Sequence, residues 1–312
     1  MNVSVLGLGL IGGSLLRALA ARGHHVTGYD SDAGTRAAVS AAGLTVTDDI
    51  PSALAGASLA ILAVPLPALA GVGAELAAFS GLVTDVTSVK VPVRTALAGR
   101  RFVGGHPMAG KESSGFLASD PHLFDGCAWV LCLEPETDLG DWLTLAALIT
   151  SLGARVVPAT AAEHDQAVAR ISHVPHLLAT ALSGLLDGQA QAATLAAGSF
   201  RDGTRVAATR AALIAAMCGG NAGPTAENLS TVIASLSAYR DALTADDPIA
   251  ALTPLLDRPG QLRRQWPPAA YSPVEVARDP AALLELGRAG GWLTEIGAVL
   301  VGKRPEADRI GS

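Results

Sequence analysis

The chain has 312 residues, of which 50% are hydrophobic and 16% charged, and this length and composition predict two domains with substantial cores. The net charge of −6 and the lack of any basic stretch exclude a nucleic-acid-binding protein that relies on phosphate contacts. No apolar run reaches the roughly 20 residues of a membrane span, and three cysteines without a CxxC pair argue against a disulfide framework. We therefore expect a cytoplasmic protein, and the low charged fraction leads us to expect an oligomer that buries a large area. By analogy with other two-domain enzymes that have a helical second domain, the oligomer is expected to be a homodimer.

The N-terminal segment has the pattern of a dinucleotide-binding fold. Residues 3–6 form a predicted strand with no basic residue before it, unlike a secretory signal. The next residues, Gly7-Leu8-Gly9-Leu10-Ile11-Gly12, match GxGxxG and lead into a predicted helix over residues 14–21. A second strand ends at Asp30, about 20 residues after the glycines. A lone GxGxxG also occurs in structural turns, but this order of elements favours nucleotide binding.

Each of these residues has a physical task in nucleotide binding. Gly7 permits the tight turn, Gly9 lets the backbone approach a pyrophosphate, and Gly12 lets the helix pack close to the strand. The Asp30 carboxylate can accept hydrogen bonds from both ribose hydroxyls and would repel a 2′-phosphate, so NAD is favoured over NADP. Ser31 follows it, where an arginine could have held that phosphate. The predicted cofactor contacts are Gly7, Gly9, Leu10, Ile11, Gly12, Asp30 and Val64.

Strands and helices continue to alternate as far as Pro158. Further strands are predicted over residues 59–64, 82–86, 102–105, 128–133 and 154–157, with helices between most of them, for example over 69–79 and 142–152. This alternation predicts an α/β fold with a doubly wound parallel sheet of the Rossmann type and helices on both faces. Residues 1–158 are therefore predicted to form the NAD-binding domain.

Residues 159–312 are predicted to form an all-α substrate and dimerisation domain. Its helical stretches cover residues 161–186, 189–197, 205–218, 225–243 and 280–301. Thr160 can cap the first helix, with Glu163 as its capping-box partner. The Pro-rich residues 261–273 are predicted to be an ordered loop or a lid, and too few residues follow for a further regulatory module.

Two polar clusters lie where predicted strands end, and ligands of doubly wound sheets bind at that edge. The first runs from Asp85 to Lys90 (DVTSVK), and the second surrounds His106 (GGHPMAGKESSG). A histidine between glycines and a proline suits general-base work, because the ordinary pKa of histidine lies near neutrality. The simpler alternatives are a helix cap by Ser88 beside a solvated Lys90, and a loop histidine bonded to the backbone.

A third polar cluster comprises His164, Asp165 and the segment SHVPH, which contains His173 and His176. Histidines three residues apart can share one helix face, so a zinc site with His164 as a third ligand is one hypothesis. Pro175 disturbs the local turn, and no cysteine or glutamate lies at ligand spacing. We therefore predict that the protein holds no metal.

The motifs GLGLIGGSL, DVTSVK, GGHPMAGKESSG, EHDQAVARISHVPH and SFRDGTR occur in the order typical of prephenate dehydrogenases. The chain resembles this family, which includes arogenate dehydrogenases, from residue 1 to about Arg205, and the pair HPMAG and SHVPH is specific to it. The resemblance implies a Rossmann domain followed by a helical dimerisation domain. It also implies NAD-dependent oxidative decarboxylation of prephenate to 4-hydroxyphenylpyruvate, on the route to tyrosine.

The resemblance further implies roles for five side chains. His106 would take the proton of the ring 4-hydroxyl as hydride leaves for the nicotinamide, and Ser88 would hold both the histidine and the hydroxyl. Arg205 would bind the ring carboxylate, while His176 and Lys90 would line the substrate pocket. A di-acid substrate needs cations, and Arg205 and Lys90 are isolated cations in an otherwise apolar sequence.

The sequence after RDGTR departs from the family, which usually has a proline and a tryptophan where residues 206–213 read VAATRAAL. The choice between prephenate, arogenate and an amino-substituted prephenate therefore stays open. A β-hydroxyacid dehydrogenase is a less favoured alternative, because the glycine-rich residues 219–224 include no lysine. A non-catalytic NAD sensor is another, and it would need neither His106, Ser88 nor Arg205.

Overall fold

Short apolar strands form the first sheet of the computed structural model, which describes residues 1–306. They are β1 (Asn2–Leu6), β2 (His25–Tyr29), β3 (Leu59–Leu62), β4 (Leu82–Asp85) and β5 (Phe102–Val103). All pair in parallel, in the order β2-β1-β3-β4-β5. The order reverses between β1 and β3, and a doubly wound sheet binds its ligand at such a reversal.

The two faces of this sheet are both buried. In β3, Leu59 and Ile61 join one hydrophobic cluster, whereas Ala60 and Leu62 join another. Successive side chains of a strand point to opposite faces, so a strand covered on both sides has no polar position. The covering helices are α1 (Leu10–Ala21), α2 (Ala33–Ala41), α3 (Ile50–Leu54), α4 (Leu69–Glu75) and α5 (Val91–Ala96).

A second, mixed sheet belongs to the same part of the molecule. Its strands are β6 (Gly105–Pro107), β7 (Ala128–Cys132), β8 (Arg155–Ala159), β9 (Tyr271–Val276), β10 (Trp292–Ile296) and β11 (Leu300–Pro305). Their order is β6-β7-β8-β10-β11-β9, with β7 and β8 parallel and β6 antiparallel to β7. The helices α6 (Leu139–Ser151) and α14 (Pro280–Arg288) pack against this sheet.

The C-terminal segment differs from its prediction as one helix over residues 280–301. Helix α14 ends at Arg288, and β10 and β11 follow as an antiparallel pair. Gly290 has a φ of +74°, and a Cβ on Gly291 would lie 2.6 Å from the carbonyl oxygen of Lys303. The two glycines thus end the helix and admit the neighbouring strand, features that an Ala/Leu-rich composition conceals.

The described chain divides into two compact units. The first consists of Met1–His164 and Pro273–Arg304, and the second of Asp165–Ser272 with residues 305 and 306. Residues 273–304 therefore belong to the first unit, and their assignment to the helical domain was wrong, because β10 pairs with β8 and β11 extends the same sheet.

The second unit is built from helices. They are α7 (Ala161–Val168), which begins in the first unit, α8 (Val174–Ser183), α9 (Ala190–Leu195), α10 (Gly198–Thr204), α11 (Ala211–Gly220), α12 (Ala222–Ala242) and α13 (Pro248–Gln265). Helix α13 contains residues 261–265, and β9 begins at Tyr271, so a loop over all of residues 261–273 was a wrong prediction. None of the helices within residues 1–306 is both long and apolar enough to span a lipid bilayer.

Candidate active site

The glycine turn after β1 has the geometry that its sequence predicts. Gly7 has a φ of +93°, which favours glycine. A Cβ on Gly12 would lie 1.8 Å from the carbonyl oxygen of Gly7, so only glycine lets α1 approach the turn this closely. A Cβ on Gly9 would meet no atom within 4 Å, so the backbone there faces open space. This open space adjoins the start of α1, and the first N–H groups of a helix are the donors that a pyrophosphate uses.

Asp30 lies at the end of β2, beside this turn. Its Oδ2 accepts a hydrogen bond from the N–H of Leu8 (2.7 Å), and its Oδ1 accepts one from the N–H of Asp32 (2.9 Å). The carboxylate is therefore fixed, and each oxygen keeps a second lone pair for a ribose hydroxyl. Val64 lies just beyond the end of β3, on the other side of the strand-order reversal. The turn, the acid and the reversal together fit a dinucleotide.

A buried ion pair joins the polar segment after β4 to the strand that carries His106. The carboxylate of Asp85 and the ammonium of Lys90 form this pair, and they are 0% and 1% exposed. The N–H of Gly105 donates to Asp85 Oδ1 (3.1 Å), and Lys90 Nζ donates to the carbonyl of Gly105 (2.6 Å). The pair thus binds both backbone polar groups of the residue before His106. We call this arrangement the Gly105 clamp.

The Gly105 clamp changes the interpretation of Lys90, which the resemblance places at the substrate. The ammonium of Lys90 contacts Asp85, donates to Thr87 Oγ1 (3.1 Å) and binds Gly105, all inside the first unit. A lysine at 1% exposure with these partners holds the backbone rather than an incoming acid. The sequence contained a signal for this pair, since the aspartate ends a buried strand and the lysine follows five residues later.

Ser88 lies in the turn that the Gly105 clamp encloses. The N–H of Thr87 donates to Asp85 Oδ2 (3.0 Å), and Thr87 Oγ1 donates to the carbonyl of Val89 (3.0 Å), which bends the chain around Ser88. Ser88 is half-buried. The turn and the start of β6 are therefore fixed to the same carboxylate, at the edge where the glycine turn also lies.

His106 is the middle residue of β6, where it pairs with Val130 of β7. Its Nδ1 lies 2.8 Å from Nε2 of His164, and the two rings meet edge to face, with centroids 5.0 Å apart. His164 is buried and stands in the first turn of α7. The predicted capping box is confirmed there, because Thr160 N donates to Glu163 Oε2 (2.8 Å) and Glu163 N donates to Thr160 Oγ1 (3.2 Å).

The segment after His106 packs on the first helix of the nucleotide fold. The N–H of Asp120 donates to Ser14 Oγ (2.9 Å), and Arg17 Nε donates to Ser119 Oγ (2.8 Å). A Cβ on Gly13 would lie 2.8 Å from the ring of Phe116. The same helix therefore supports both the glycine turn and the segment that continues from His106.

The remaining predicted site residues lie in the second unit. His176 stands on α8, and its Nδ1 lies 2.8 Å from the carbonyl of Ser172. A carbonyl only accepts, so Nδ1 carries a proton and Nε2 is the acceptor nitrogen of the neutral ring. Arg205 is exposed and begins a short helical turn, Arg205–Ala208, that packs against α8.

The SHVPH segment contains an irregular helical turn. Residues Ala169–His173 form a π-helix directly before Pro175, which lacks the N–H that a regular helix would use. Nδ1 of His173 lies 3.1 Å from Nδ2 of Asn221, and this amide also donates to the carbonyl of Asp165 (2.7 Å). His173 thus joins helices within the second unit. Residues 1–306 contain no group of three or more potential metal-ligating side chains.

The two partly exposed cysteines are not poised as thiolates. Burial raises the pKa of the Cys127 thiol to about 11 and also raises the pKa of Cys218. Both side chains are therefore protonated near neutral pH, and nucleophilic thiolate chemistry is not favoured at either.

A unit that accommodates a dinucleotide and fixes a histidine at the same sheet edge is typical of NAD-dependent dehydrogenases. Two family models match the chain, "Prephenate dehydrogenase, nucleotide-binding domain" over residues 15–158 and "Prephenate dehydrogenase, dimerization domain" over residues 160–253. The chain belongs to the prephenate dehydrogenase family. It is therefore an NAD-dependent enzyme of tyrosine biosynthesis, as its motifs predict, and the β-hydroxyacid dehydrogenase alternative is excluded.

Individual relatives agree with this family. A cyclohexadienyl dehydrogenase of Zymomonas mobilis is 33% identical over 79% of this chain and 89% of its own length. A solved structure of a candidate prephenate dehydrogenase from Corynebacterium glutamicum is 37% identical, with a TM-score of 0.81, and the match covers 86% of this chain and 89% of that one. Synechocystis arogenate dehydrogenase is 31% identical, with a TM-score of 0.72 over 85% of this chain and all (100%) of its own.

Proposed function

We propose that the protein oxidatively decarboxylates prephenate, with NAD as hydride acceptor, and that His106 is the general base. The observation that carries this proposal is the Gly105 clamp, which fixes the backbone next to His106 at the sheet edge that holds the glycine turn. A general base must be held within hydrogen-bond reach of the proton that it removes. A protein that only senses NAD has no need to fix a histidine there.

The chemistry follows from the substrate. Prephenate carries a hydroxyl on ring carbon 4 and a carboxylate on carbon 1. His106 takes the hydroxyl proton, and Ser88 orients the hydroxyl. NAD, held by the glycine turn and Asp30, would supply the acceptor for the hydride from carbon 4. The bond from carbon 1 to its carboxylate then breaks, its electron pair completes the aromatic ring, and the ring oxygen takes back the proton from His106. The products are 4-hydroxyphenylpyruvate, CO2 and NADH, and aromatisation makes the reaction effectively irreversible.

We assign recognition of the substrate carboxylates to the second unit. Lys90 is committed to the Gly105 clamp, so the cation for the ring carboxylate is Arg205, whose guanidinium can bind a carboxylate through two parallel hydrogen bonds. Nδ1 of His176 already contacts a backbone carbonyl, so Nε2 is the ring nitrogen with which His176 would contact the substrate. We propose that it contacts the side chain on carbon 1, where prephenate has a pyruvyl group.

Arogenate is the second candidate substrate. It has an amino group where prephenate has a keto group, and the reacting ring is the same. A relative named arogenate dehydrogenase, 31% identical to this chain, supports this candidate. An amino-substituted prephenate would also undergo the same ring chemistry.

We propose NAD rather than NADP because of Asp30. Both carboxylate oxygens of Asp30 accept hydrogen bonds from backbone N–H groups. They lie where the ribose of the bound nucleotide is expected. A 2′-phosphate there would meet a fixed carboxylate, and like charges at such a distance repel.

We propose that the protein is a homodimer through its second unit. Neither of the two hydrophobic clusters found within residues 1–306 includes a residue of Asp165–Ser272. Large apolar side chains are instead exposed there, for example Leu195 (73%) and Ile249 (81%). Such a surface is typical of an interface, and the matched dimerisation model covers residues 160–253. Light scattering after size exclusion tests this, and a monomeric mass would contradict it.

The activity test is NADH and CO2 formation by the purified protein with prephenate or arogenate, each with NAD or NADP. We expect equal amounts of NADH and CO2 with prephenate and NAD, and far less NADPH with NADP. Faster turnover of arogenate than of prephenate would identify arogenate as the substrate, with the same mechanism. Formation of NADH without CO2 would contradict oxidative decarboxylation. If neither acid is turned over, the amino-substituted prephenate is the next substrate to test.

A further inference from the structure

We propose that Arg36 is a latent binding residue for the 2′-phosphate of NADP, which the charge of Asp30 keeps unused. The inference rests on the proposed preference of the enzyme for NAD over NADP. The two cofactors differ only by a phosphate on the 2′-oxygen of the adenosine ribose. In Rossmann domains an acid after the second strand binds the ribose hydroxyls of NAD, and a nearby arginine accommodates the phosphate of NADP. This chain has an acid and an arginine in the segment that follows β2.

The guanidinium of Arg36 lies against the backbone of the ribose-binding acid. Arg36 stands near the start of α2, and its Nη1 donates to the carbonyl of Asp30 (2.9 Å) and to that of Ser31 (3.2 Å). The Arg36 side chain is 20% exposed. It is therefore held in place beside Asp30 and still reaches solvent, from which a cofactor arrives.

Arg36 keeps donors for an anion. Its Nε donates to Asp48 Oδ1 (3.2 Å), and its Nη1 is bound to the two carbonyls. Nη2 makes no hydrogen bond to another group within residues 1–306. Its two N–H groups are therefore left for an incoming phosphate, and hydrogen bonds between a guanidinium and a phosphate are charge-assisted and strong.

Three carboxylates near Arg36 oppose a phosphate, and they do so to different degrees. Asp32 is committed to the N-cap of α2, where its Oδ2 accepts from the N–H of Thr35 (2.6 Å). The Asp48 side chain is 94% exposed, so solvent screens its charge. Asp30 is fixed by two backbone N–H groups at the expected ribose position, where a 2′-phosphate would meet it directly. The charge of Asp30 is therefore the main barrier to NADP.

The test measures the dissociation constants of NAD and NADP by calorimetric titration, which requires no turnover. Asp30→Asn removes the charge and keeps one acceptor oxygen for the backbone, so it should bind NADP roughly tenfold or more tighter than the wild type. The double variant Asp30→Asn/Arg36→Met should lose roughly 10- to 100-fold of NADP affinity relative to Asp30→Asn, the worth of a hydrogen bond to a charged group. Its NAD affinity should change far less.

The ratio of the two dissociation constants separates phosphate recognition from support of the loop. If Arg36 only holds the backbone after β2, Arg36→Met will weaken NAD and NADP by the same factor, and this result would overturn the inference. An unchanged NADP affinity in Asp30→Asn would overturn it as well. Arg100→Met is the matched control, because Arg100 also binds two backbone carbonyls but precedes β5, at the opposite edge of the sheet. Its ratio should equal that of the wild type.

The exposed Asp48 supplies a second variant in case the Arg36→Met change prevents folding. Asp30→Asn/Asp48→Asn releases Nε of Arg36 and should bind NADP roughly two- to fivefold tighter than Asp30→Asn. In that case an unchanged affinity would overturn the inference. If the wild type oxidises neither acid but Asp30→Asn gains NADP affinity through Arg36, only the proposed function fails. If the wild type oxidises prephenate with NAD and Asp30→Asn gains nothing, only this inference fails.

Discussion

Replacing Lys90 with methionine separates a structural role for this residue from a substrate-binding one. The change keeps most of the side-chain volume and removes the ammonium that faces the Asp85 carboxylate. Both groups are buried, at 1% and 0% exposure. The carboxylate of Lys90→Met would keep the N–H groups of Thr87 and Gly105 but lose its counter-charge. Breaking one partner of a buried ion pair costs about 3–5 kcal/mol.

Urea denaturation and thermal unfolding measure this loss. We expect the free energy of unfolding to fall by about 3–5 kcal/mol. The midpoint temperature of the first thermal unfolding transition should fall by about 6–20 °C. In the double variant Asp85→Asn/Lys90→Met no uncompensated charge remains, so part of the stability should return. Arg240→Met, which breaks an exposed pair with Asp241, is the control and should change stability little.

The catalytic effect of Lys90→Met should follow from the Gly105 clamp. Without the ammonium, the carbonyl of Gly105 loses a donor and His106 is held less firmly, so kcat should fall more than substrate KM rises. A stability loss below about 1 kcal/mol, together with a large rise in substrate KM and an unchanged kcat, would refute this reasoning. Lys90 would then be the substrate contact that the family resemblance implies.

Three further changes test the cofactor and substrate sites. Gly9→Ala has a φ of −67° and open space around the new Cβ, so it should fold normally and raise KM for NAD roughly tenfold or more. In Gly12→Ala the new Cβ would lie 1.8 Å from a carbonyl oxygen, so this change should displace α1 and abolish NAD binding. Equal effects of the two changes in calorimetric NAD titrations would contradict the assignment. Asp30→Ala should reduce the ratio of kcat/KM with NAD to that with NADP, and a retained ratio would place selectivity elsewhere. Arg205→Ala should mainly raise substrate KM, and an unaffected KM would remove Arg205 from the site.

Local sequence patterns predict the first unit well. The positions of β1 to β5, β7 and β8 follow from short apolar runs, whereas β6 lies in the polar segment around His106 that was predicted as a loop. The glycine turn follows from Gly7 and Gly12, whose geometry only glycine allows. The Thr160–Glu163 capping box is equally local, since both partners lie within one helical turn. Signals of this kind need no knowledge of distant parts of the chain.

Features that depend on distant residues could not be predicted in this way. Strands β10 and β11 exist because they extend the sheet from β8, more than a hundred residues earlier, and their Ala/Leu-rich surroundings favour a helix. The pairing of Lys90 with Asp85 is local, but its bond to the carbonyl of Gly105 requires the start of β6 to lie close to the end of β4. The contact of His164 with His106 spans 58 residues, so the sequence presented His164 only as a possible metal ligand.

The central claim is that His106 removes the substrate proton, and the most direct test is kcat for His106→Asn alongside the dissociation constant of NAD. Loss of a general base should lower kcat by roughly 10²–10⁴-fold. NAD affinity should be nearly unchanged, because the glycine turn and Asp30 remain intact. A variant that turns over prephenate and arogenate as fast as the wild type would contradict the assignment of His106 as the base.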